Sequence, residues 1–271
     1  MDWIIGTLCA FLIAGAAYYK KSLTLSGSIA AVIMGAVYYG AGDLMWFGTL
    51  LLFFITSTVL SKYKKREKQE LEQSYAKTGN RDAGQVLANG GLGMVLVLLH
   101  AIFPHPVWIY AFIGIMATVT ADTWATEIGS LSSKPPRSVR TWKVIPPGSS
   151  GGVTVTGNAA AAAGALMIGG FAYLFLELSS EAEGALTAFI AFAIIGAISG
   201  FIGAYADSLM GATIQRMYHC TVCGKDVEVH HHCGQNTVRG KGLHWMSNDL
   251  VNLFSSLIGG GIAILLGLLL L

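Results

Sequence analysis

Charged residues are scarce in this chain. They make up 12% of its 271 residues, whereas 54% are hydrophobic; a soluble domain usually carries about a quarter charged residues. The alternation of apolar and polar residues that builds a membrane β-barrel is also missing, and only helices or closed barrels can cross lipid. The composition therefore argues against an ordinary soluble enzyme. It predicts an all-α, polytopic membrane protein that forms a single integral membrane domain over residues 1–271.

The apolar residues fall in blocks long enough to cross a bilayer, which takes roughly 20 helical residues. The first block has no basic segment before it and no cleavage site of small residues, so the sequence predicts a retained helix rather than a signal peptide. We predict about eight transmembrane helices, at residues 3–19, 23–41, 44–61, 84–103, 106–121, 156–177, 185–206 and 249–271.

Positive charge lies on one side of the predicted bundle. With eight spans, all 17 Lys and Arg residues fall on the same side, which the positive-inside rule makes cytoplasmic, with both termini outside. We expect the plasma membrane of a prokaryote. On the cytoplasmic side, residues 62–83 mix both signs of charge and predict a solvated helix. Residues 122–155 and 207–248 instead combine Gly, Ser and Thr with isolated charges, which is typical of a functional site.

Two acidic motifs open these last two loops. ADTWATEIG begins at Ala121 and ADSLMGATIQ at Ala206, a similarity that is consistent with a weak internal duplication, as in many transporters. Acids at a membrane helix end are costly unless they serve a purpose. If the helix continues, Asp122 shares a face with small residues three and seven positions on, whereas Glu127 points elsewhere. Asp207 repeats the arrangement; a buried ion pair or a solvated helix end is the alternative for both motifs.

A Gly/Ser-rich segment, TWKVIPPGSSGG, follows Asp122 in the same loop. Such a turn can direct several backbone N–H groups at one anion, and the start of the next helix would add a second anion site. The predicted phosphate site comprises Gly148, Ser149, Ser150, Gly151 and Gly152, with Arg140 and Lys143 as cations. With Asp122 and Asp207 as Mg²⁺ ligands, these are the parts that phosphoryl transfer needs. A plain flexible turn is the alternative.

Amide side chains recur at the same predicted depth. Asn89 lies in QVLANGG, and SNDLVN contributes Asn248, Asp249 and Asn252 at the start of the last span. We predict that they contribute to nucleotide or phosphate binding. Hydrogen bonds between helices, or an N-cap at Asn248 or Asp249, would explain the same residues without a ligand.

A cluster of cysteines and histidines lies in the cytoplasmic loop 207–248. Cys220 and Cys223 form a C-x2-C pair, and Cys233 follows beside three histidines. A cytoplasmic location disfavours disulfides, and three cysteines cannot all pair among themselves. A Cys3His zinc knuckle fits these residues, with free thiols as the alternative. We assign His230 as the fourth ligand, although the spacing does not distinguish it from its neighbours.

Two sets of motifs resemble known families. The first set resembles the signature of CTP-using membrane enzymes such as dolichol kinase, phytol kinase and phosphatidate cytidylyltransferase. It consists of Asp122-x2-Ala-x3-Gly, followed by Lys143 and residues 148–152. A closer resemblance covers nearly the whole chain. It rests on SLTLSGSIAA, QVLANGG, ADTWATEIG, PRSVRTWKVIPPGSSGG, GAYADSLMGATIQ and SNDLVN. This resemblance is to the integral membrane family that includes plant phytyl-phosphate kinase of the vitamin E pathway and animal transmembrane protein nineteen.

The resemblance implies transfer of phosphate from CTP to a prenyl monophosphate in the bilayer, with Mg²⁺ as cofactor. Asp122, Glu127, Asp207 and Lys143 are then the expected catalytic residues, and no nucleic-acid partner is expected. A lipid or small-molecule transporter or flippase is the main alternative, and a CTP-using cytidylyltransferase is the second. The predicted polar residues gather at the cytoplasmic ends of spans rather than at their centres, which favours an enzyme.

Overall fold

The computed structural model describes residues 1–76, 79–180 and 185–271, and helices account for most of them. The nine helices of this described part are α1 (Asp2–Tyr19), α2 (Leu25–Gly40), α3 (Leu44–Lys62), α4 (Lys65–Glu72), α5 (Ala83–Ile102), α6 (Pro106–Gly129), α7 (Val155–Ser180), α8 (Leu186–Thr213) and α9 (Asn248–Leu270). The prediction of an all-α, polytopic membrane protein is confirmed.

Seven of these helices are long and apolar enough to cross a membrane, and α2, with 16 residues, is shorter. Nevertheless, α2 connects the two ends of the bundle. Just before α2 begins, Leu23 forms a β-bridge with Arg81, which precedes α5. Just after α2 ends, Gly42 lies against Val97, near the end of α5. The eight predicted spans thus correspond to seven long helices and one short one, and α4 lies outside them.

The fifth and seventh predicted spans are too short. The predicted span 106–121 continues as α6 to Gly129, and 185–206 continues as α8 to Thr213. Hydroxyl residues in the polar part of α6 bond to the helix's own carbonyls, as Thr120 does to Met116 O at 2.7 Å and Thr123 to Val119 O at 2.8 Å. Polarity therefore increases without a break in the helix. The loops predicted at 122–155 and 207–248 shrink to 130–154 and 214–247.

Helix α6 forms the centre of the bundle. Its residues 111–121 are all buried, and it packs against α3, α5, α7, α8 and α9. Small residues let the backbones approach closely, since a Cβ at Gly203 of α8 or Gly259 of α9 would overlap the Thr118 hydroxyl of α6. Helices α7 and α8 also approach closely at Gly169 of α7, where a Cβ would collide with the Phe192 carbonyl of α8.

The two remaining loops carry short antiparallel strands. In the loop 130–154, β1 (Arg137–Ser138) pairs with β2 (Gly152–Val153). In the loop 214–247, β3 (Tyr218–His219) lies between β4 (Asp226–Val227) and β7 (Val238–Arg239), and β5 (His231–His232) forms a hairpin with β6 (Gln235–Asn236). Both loops lie at the end of the bundle where α5, α7 and α9 begin and α6 and α8 end.

Candidate active site

A polar cavity of about 510 Å³ lies at this end of the bundle. Its walls come from the last turns of α6 and α8, the first turns of α5, α7 and α9, the end of α3, helix α4 and both loops. Its charged lining residues are Lys68, Arg81, Asp122, Glu127, Lys134, Asp207 and Glu228. A cavity of this size, with both signs of charge, suits a ligand that carries several anionic groups and a bound cation.

Asp122 of α6 and Asp207 of α8 face this cavity. Asp207 accepts a hydrogen bond of 3.0 Å from the Ser255 hydroxyl of α9. Asp122 forms no hydrogen bond or ion pair within residues 1–76, 79–180 and 185–271, and it lies close enough to Asp207 and Glu228 to be repelled by both. Carboxylates in this situation are stabilised by a cation.

The geometry fits a magnesium ion better than an ion held by protein ligands alone. No three carboxylates in the described residues bring oxygens within 4.8 Å of one another. Mg²⁺ in phosphate-transfer sites is usually held by one or two carboxylates, with water and substrate phosphates completing the shell. Asp122 and Asp207 both line the cavity, and their role as Mg²⁺ ligands stays a prediction that also requires a phosphate ligand.

Glu127 has a different environment, although it lines the same cavity. Because α6 stays regular, Glu127 projects away from Asp122, as the helical spacing predicts. Its carboxylate accepts a hydrogen bond from Lys68 and one of 2.5 Å from the Ser61 hydroxyl. Lys68 is only 2% exposed, and it also donates to Leu60 O at 2.8 Å. We therefore expect Glu127 to stabilise the cavity wall rather than to hold the metal.

The prediction of a solvated helix at residues 62–83 is wrong at Lys68, which is buried. The helix is present as α4, but Lys68 turns inward to the ion pair with Glu127. Positions 77 and 78 of this segment lie outside the described residues. Charge composition alone does not distinguish a buried lysine of an amphipathic helix from its solvated neighbours.

Replacing Lys68 by Met is expected to lower the free energy of unfolding by about 3 kcal/mol, because removing one partner leaves the other charge uncompensated. The measurement is reversible unfolding in mixed detergent micelles, followed by circular dichroism. Adding Glu127→Gln should restore most of the loss. As a matched control, Lys64→Met breaks an exposed pair with Glu67 and should change stability by no more than about 0.5 kcal/mol. If Lys68→Met and Lys64→Met lowered the free energy of unfolding equally, the buried ion pair between Lys68 and Glu127 would be contradicted.

The Gly/Ser segment forms a turn that lines the cavity along residues 148–152. Gly148 and Gly151 have φ angles of +82° and +77°, a region that favours glycine, and a Cβ at Gly151 would also overlap Ala212 of α8. In the described chain, the amides of Gly148, Ser150 and Gly151 donate no hydrogen bond. Beside them, Thr154 accepts a bond from Gly157 N at 3.0 Å at the start of α7. Free amides and a helix start suit an anion.

The cations predicted for this turn do not reach the cavity. Arg140 and Lys143 are exposed and absent from its lining. The reason is the tight turn over residues 138–143, which contains both cations. In it, Trp142 N donates to Ser138 O at 2.8 Å and Ser138 N donates to Lys143 O at 2.9 Å. This turn directs both side chains away from the cavity.

Arg81 supplies positive charge instead, and it is only 7% exposed. Its backbone is fixed by bonds to Ser22 and Thr24. The guanidinium donates to the Thr58 hydroxyl at 3.1 Å and lies over the Phe54 ring, 5.8 Å from its centre. Burial lowers the pKa of this guanidinium, an effect that the negative charge of Glu127 opposes. A guanidinium carries five donors, so a buried one with a single acceptor among the described residues is suited to bind an anion.

An apolar pocket adjoins the polar cavity. It measures about 70 Å³, and α1, α2, α3 and α5 surround it. Arg81 and Asn89 line both spaces, so these two residues mark the junction between a polar and an apolar binding region. A ligand with an anionic head and a hydrocarbon tail fits such a junction.

The predicted amide residues separate into two groups. Asn89, Asn248 and Asn252 line the polar cavity, whereas Asp249 does not. The N-cap of α9 is Ser247, whose side chain accepts from Leu250 N at 3.4 Å. The alternative in which Asn248 or Asp249 caps the helix is therefore wrong, because the capping position comes one residue earlier.

Glu228 is a cavity residue that the sequence analysis missed. It follows β4, and its carboxylate accepts from Gln215 Nε2 at 2.8 Å and from Ala76 N at 3.2 Å. Its own amide donates to Ser74 O at 2.8 Å. Burial raises the pKa of the Glu228 carboxyl, although these hydrogen bonds oppose the rise. Glu228 lies within the Cys/His motif, which gives no sign of an acid at the cavity, and only the folding of the loop 214–247 brings it there.

The Cys/His cluster of that loop comprises Cys220, Cys223, His232 and Cys233, whose ligand atoms all lie within 4.8 Å of one another. His230, the fourth ligand expected from the sequence, instead packs against Tyr218 with ring centres 4.2 Å apart and the ring planes tilted by 47°. His230 lies just before β5, whereas β5 places His231 and His232 on opposite faces, and His232 is the one on the side of the thiols. Hydrogen bonds from the Cys223 backbone and the His232 ring lower the pKa of the Cys220 thiol to about 6.

Comparison with known proteins gives similarity over most of the chain. The sequence model of the integral membrane family DUF92 matches residues 8–260. The chain is 32% identical over 275 residues to Protein PGR of Arabidopsis thaliana, covering 94% of this chain and 92% of that protein. It is 29% identical over 251 residues to an uncharacterised membrane protein of Methanocaldococcus jannaschii, covering 91% and 87%.

A more distant relative also matches most of the chain. The identity with Protein VTE6, chloroplastic, of Arabidopsis thaliana is 22% over 260 residues, covering 94% of this chain and 68% of that protein. No solved structure matches the chain.

Proposed function

Since the chain belongs to the integral membrane family DUF92, we propose that it is a nucleotide-dependent kinase that phosphorylates a prenyl monophosphate embedded in the bilayer. Membership confirms the resemblance on which the sequence analysis relied, to the family that includes plant phytyl-phosphate kinase. That resemblance supports a phosphate transfer to a phytyl or polyprenyl phosphate, with CTP as donor.

The observation that carries this proposal is the junction at Arg81 and Asn89. A prenyl phosphate has an apolar tail and an anionic head. The pocket between α1, α2, α3 and α5 suits the part of the tail nearest the head, and Arg81 then meets the phosphate at the edge of the polar cavity. Arg binds phosphate strongly because its donors form a planar fork.

The Gly/Ser turn that lines the same cavity suits the nucleotide. The free amides of Gly148, Ser150 and Gly151, with the start of α7, would hold the donor phosphates. Asp122 and Asp207 would hold Mg²⁺, which supplies charge neutralisation at those phosphates. The nucleotide and the acceptor phosphate would then meet in one cavity.

The reaction requires little acid–base chemistry from the protein. An oxygen of the acceptor phosphate forms a bond to the terminal phosphorus of the nucleotide, and the bond from that phosphorus to the bridging oxygen breaks, releasing the nucleoside diphosphate. The acceptor phosphate is already an anion at neutral pH, so no general base is needed. What the chain contributes is position and charge, which dominate catalysis of phosphoryl transfer.

The position of the cavity favours an enzyme over a transporter. Transporter sites usually lie near the middle of the membrane, at broken helices. Here the acids lie near the ends of α6 and α8, and both helices are continuous. We further propose that this end, where the basic residues gather, faces the cytoplasm and its nucleotides.

The test is transfer from CTP to phytyl phosphate or geranylgeranyl phosphate by purified protein in detergent. Label in the γ-position should appear in a prenyl diphosphate, and label in the α-position should remain in CDP. A cytidylyltransferase would instead place the α-label in the lipid and release diphosphate. The proposal would be overturned by purified, folded protein that transfers phosphate from none of CTP, ATP, GTP and UTP to either acceptor.

A further inference from the structure

Two tight turns bring the four residues of the Cys/His cluster together. In the first, Gly224 N donates to Cys220 O at 2.8 Å, which folds Cys223 back toward Cys220. The second is the β5–β6 hairpin, where His232 pairs with Gln235 across Cys233 and Gly234. Cys233 and Gly234 both have positive φ, +52° and +77°. Two-residue hairpins of this type normally take Asn or Gly at such positions, so a cysteine there indicates a role for its thiol.

The spacing of the ligand atoms matches a tetrahedral zinc site. His232 Nδ1 lies 3.2 Å from Cys233 Sγ and 3.6 Å from Cys223 Sγ. Typical Zn–S and Zn–N bond lengths place neighbouring S and N ligands about 3.5 Å apart in a tetrahedron. Three thiols and one imidazole nitrogen also form a complete structural zinc set, without an open position for substrate.

The loop that carries this cluster also delivers Glu228 to the polar cavity. The Cys220–Cys223 turn connects β3 to β4, Glu228 follows β4 directly, and His232 comes four residues later. The cluster thus brackets Glu228 on both sides along the chain. Its strands are two residues long, and such a small unit rarely builds enough apolar core to be stable without a metal or other cross-link.

Electrostatic repulsion opposes the position of Glu228. Its carboxylate lies within interaction range of Asp122 and Asp249, so like charge would drive this segment away from the cavity. The bonds from Ala76 and Gln215 act against that repulsion, and they require the loop to stay folded. A cross-link within the loop, at a distance from Asp122 and Asp249, would keep the loop folded and so hold Glu228 at the cavity.

We propose that Cys220, Cys223, His232 and Cys233 bind one zinc ion, and that the metal-bound loop positions Glu228 against residues 74–76 at the rim of the polar cavity. Zinc here is a structural ion that shapes the cavity from outside it. The inference rests on the loop's geometry and holds whichever reaction the cavity supports, so its tests contain no activity measurement.

The first test is metal analysis of protein purified without chelators. About one zinc per chain is expected, and His232→Gln and Cys233→Ser should each lose it. His231→Gln, which changes the neighbouring exposed imidazole, and Cys9→Ser, in α1, should keep it. Wild-type protein that contains no zinc and takes up none from solution would overturn the site. Zinc loss in His231→Gln with retention in His232→Gln would overturn the ligand assignment.

The second test is hydrogen–deuterium exchange of wild-type protein before and after zinc removal, which avoids variants that fail to fold. The amide of Ala76 donates to the Glu228 carboxylate, and the amide of Glu228 donates to Ser74 O. Both amides should exchange at least about tenfold faster without zinc, because local opening becomes easier, while amides in the centre of α6 keep their rates. Unchanged exchange at residues 74–76 after complete zinc removal would overturn the positioning role.

Discussion

Replacing Asp122 by Asn is expected to lower the turnover of phosphate transfer at least about 100-fold, which corresponds to about 2.7 kcal/mol of barrier. The amide keeps the size and polarity of the side chain but removes the charge that would hold Mg²⁺. Because Asp122 makes no hydrogen bond in the described chain, the change breaks no hydrogen bond there. It also relieves repulsion from Asp207 and Glu228, so we expect the melting temperature to stay equal or rise.

Asp43→Asn is the matched control for this experiment. Asp43 caps α3 at the opposite end of the bundle, where its side chain accepts from Met45 N at 2.7 Å, and Asn is an equally good cap. Turnover should remain within about twofold of the wild type, a change of less than 0.5 kcal/mol. A folded Asp122→Asn protein with unchanged turnover would exclude the metal role of this residue, and a marked fall in its stability would contradict the repulsion described above.

Replacing Arg81 by Lys should lower kcat/KM for the prenyl phosphate by roughly 10- to 100-fold, since hydrogen bonds to charged groups contribute about 1.5–3 kcal/mol each. An ammonium group keeps the charge but lacks the planar fork, so it cannot serve Thr58 and a phosphate in the same geometry. The effect should appear mainly in the KM for the lipid, whereas the KM for the nucleotide changes little.

The variant Lys143→Ala tests whether Lys143 binds the donor phosphate, as the sequence predicted, or lies outside the site, as the structure indicates. If Lys143 neutralised the donor phosphate, its removal would raise the KM for the nucleotide. Its exposed position outside the cavity lining predicts instead that both KM values remain within about twofold. A raised nucleotide KM in Lys143→Ala, together with an unchanged lipid KM in Arg81→Lys, would show that Arg81 does not bind the acceptor.

The course of the helices could be predicted from sequence because apolar length is a direct signal of a membrane span. The errors occurred where polarity and helix end do not coincide. Thr118, Thr120 and Thr123 lower the hydropathy of α6, yet their hydroxyls bond within the helix, which continues to Gly129. Hydropathy reports transfer to lipid, and it is insensitive to a helix that extends beyond the bilayer or is shielded by its neighbours.

The candidate site could be predicted in part, for an equally physical reason. Asp122, Asp207 and the Gly/Ser turn stand out because acids and glycines are unusual beside membrane helices. Lys68, Arg81 and Glu228 lie among other charges, and only tertiary contacts distinguish them from solvated residues. The fourth member of the Cys/His cluster was misassigned because three consecutive histidines offer the same ligand atoms. Only the fold of the loop, which packs His230 against Tyr218 and places His232 in the β5–β6 hairpin, determines which of them faces the thiols.

The junction at Arg81 has a consequence for how the acceptor would be encountered. Because the apolar pocket lies among the apolar helices α1, α2, α3 and α5 and shares Arg81 with the cavity, a prenyl phosphate bound as proposed would reach it by diffusion in the two dimensions of the bilayer. Its effective concentration is then a mole fraction of the membrane rather than an amount per volume. The rate would fall when inert lipid dilutes the acceptor at constant bulk concentration, as in surface-dilution kinetics, while the nucleotide would follow ordinary solution saturation.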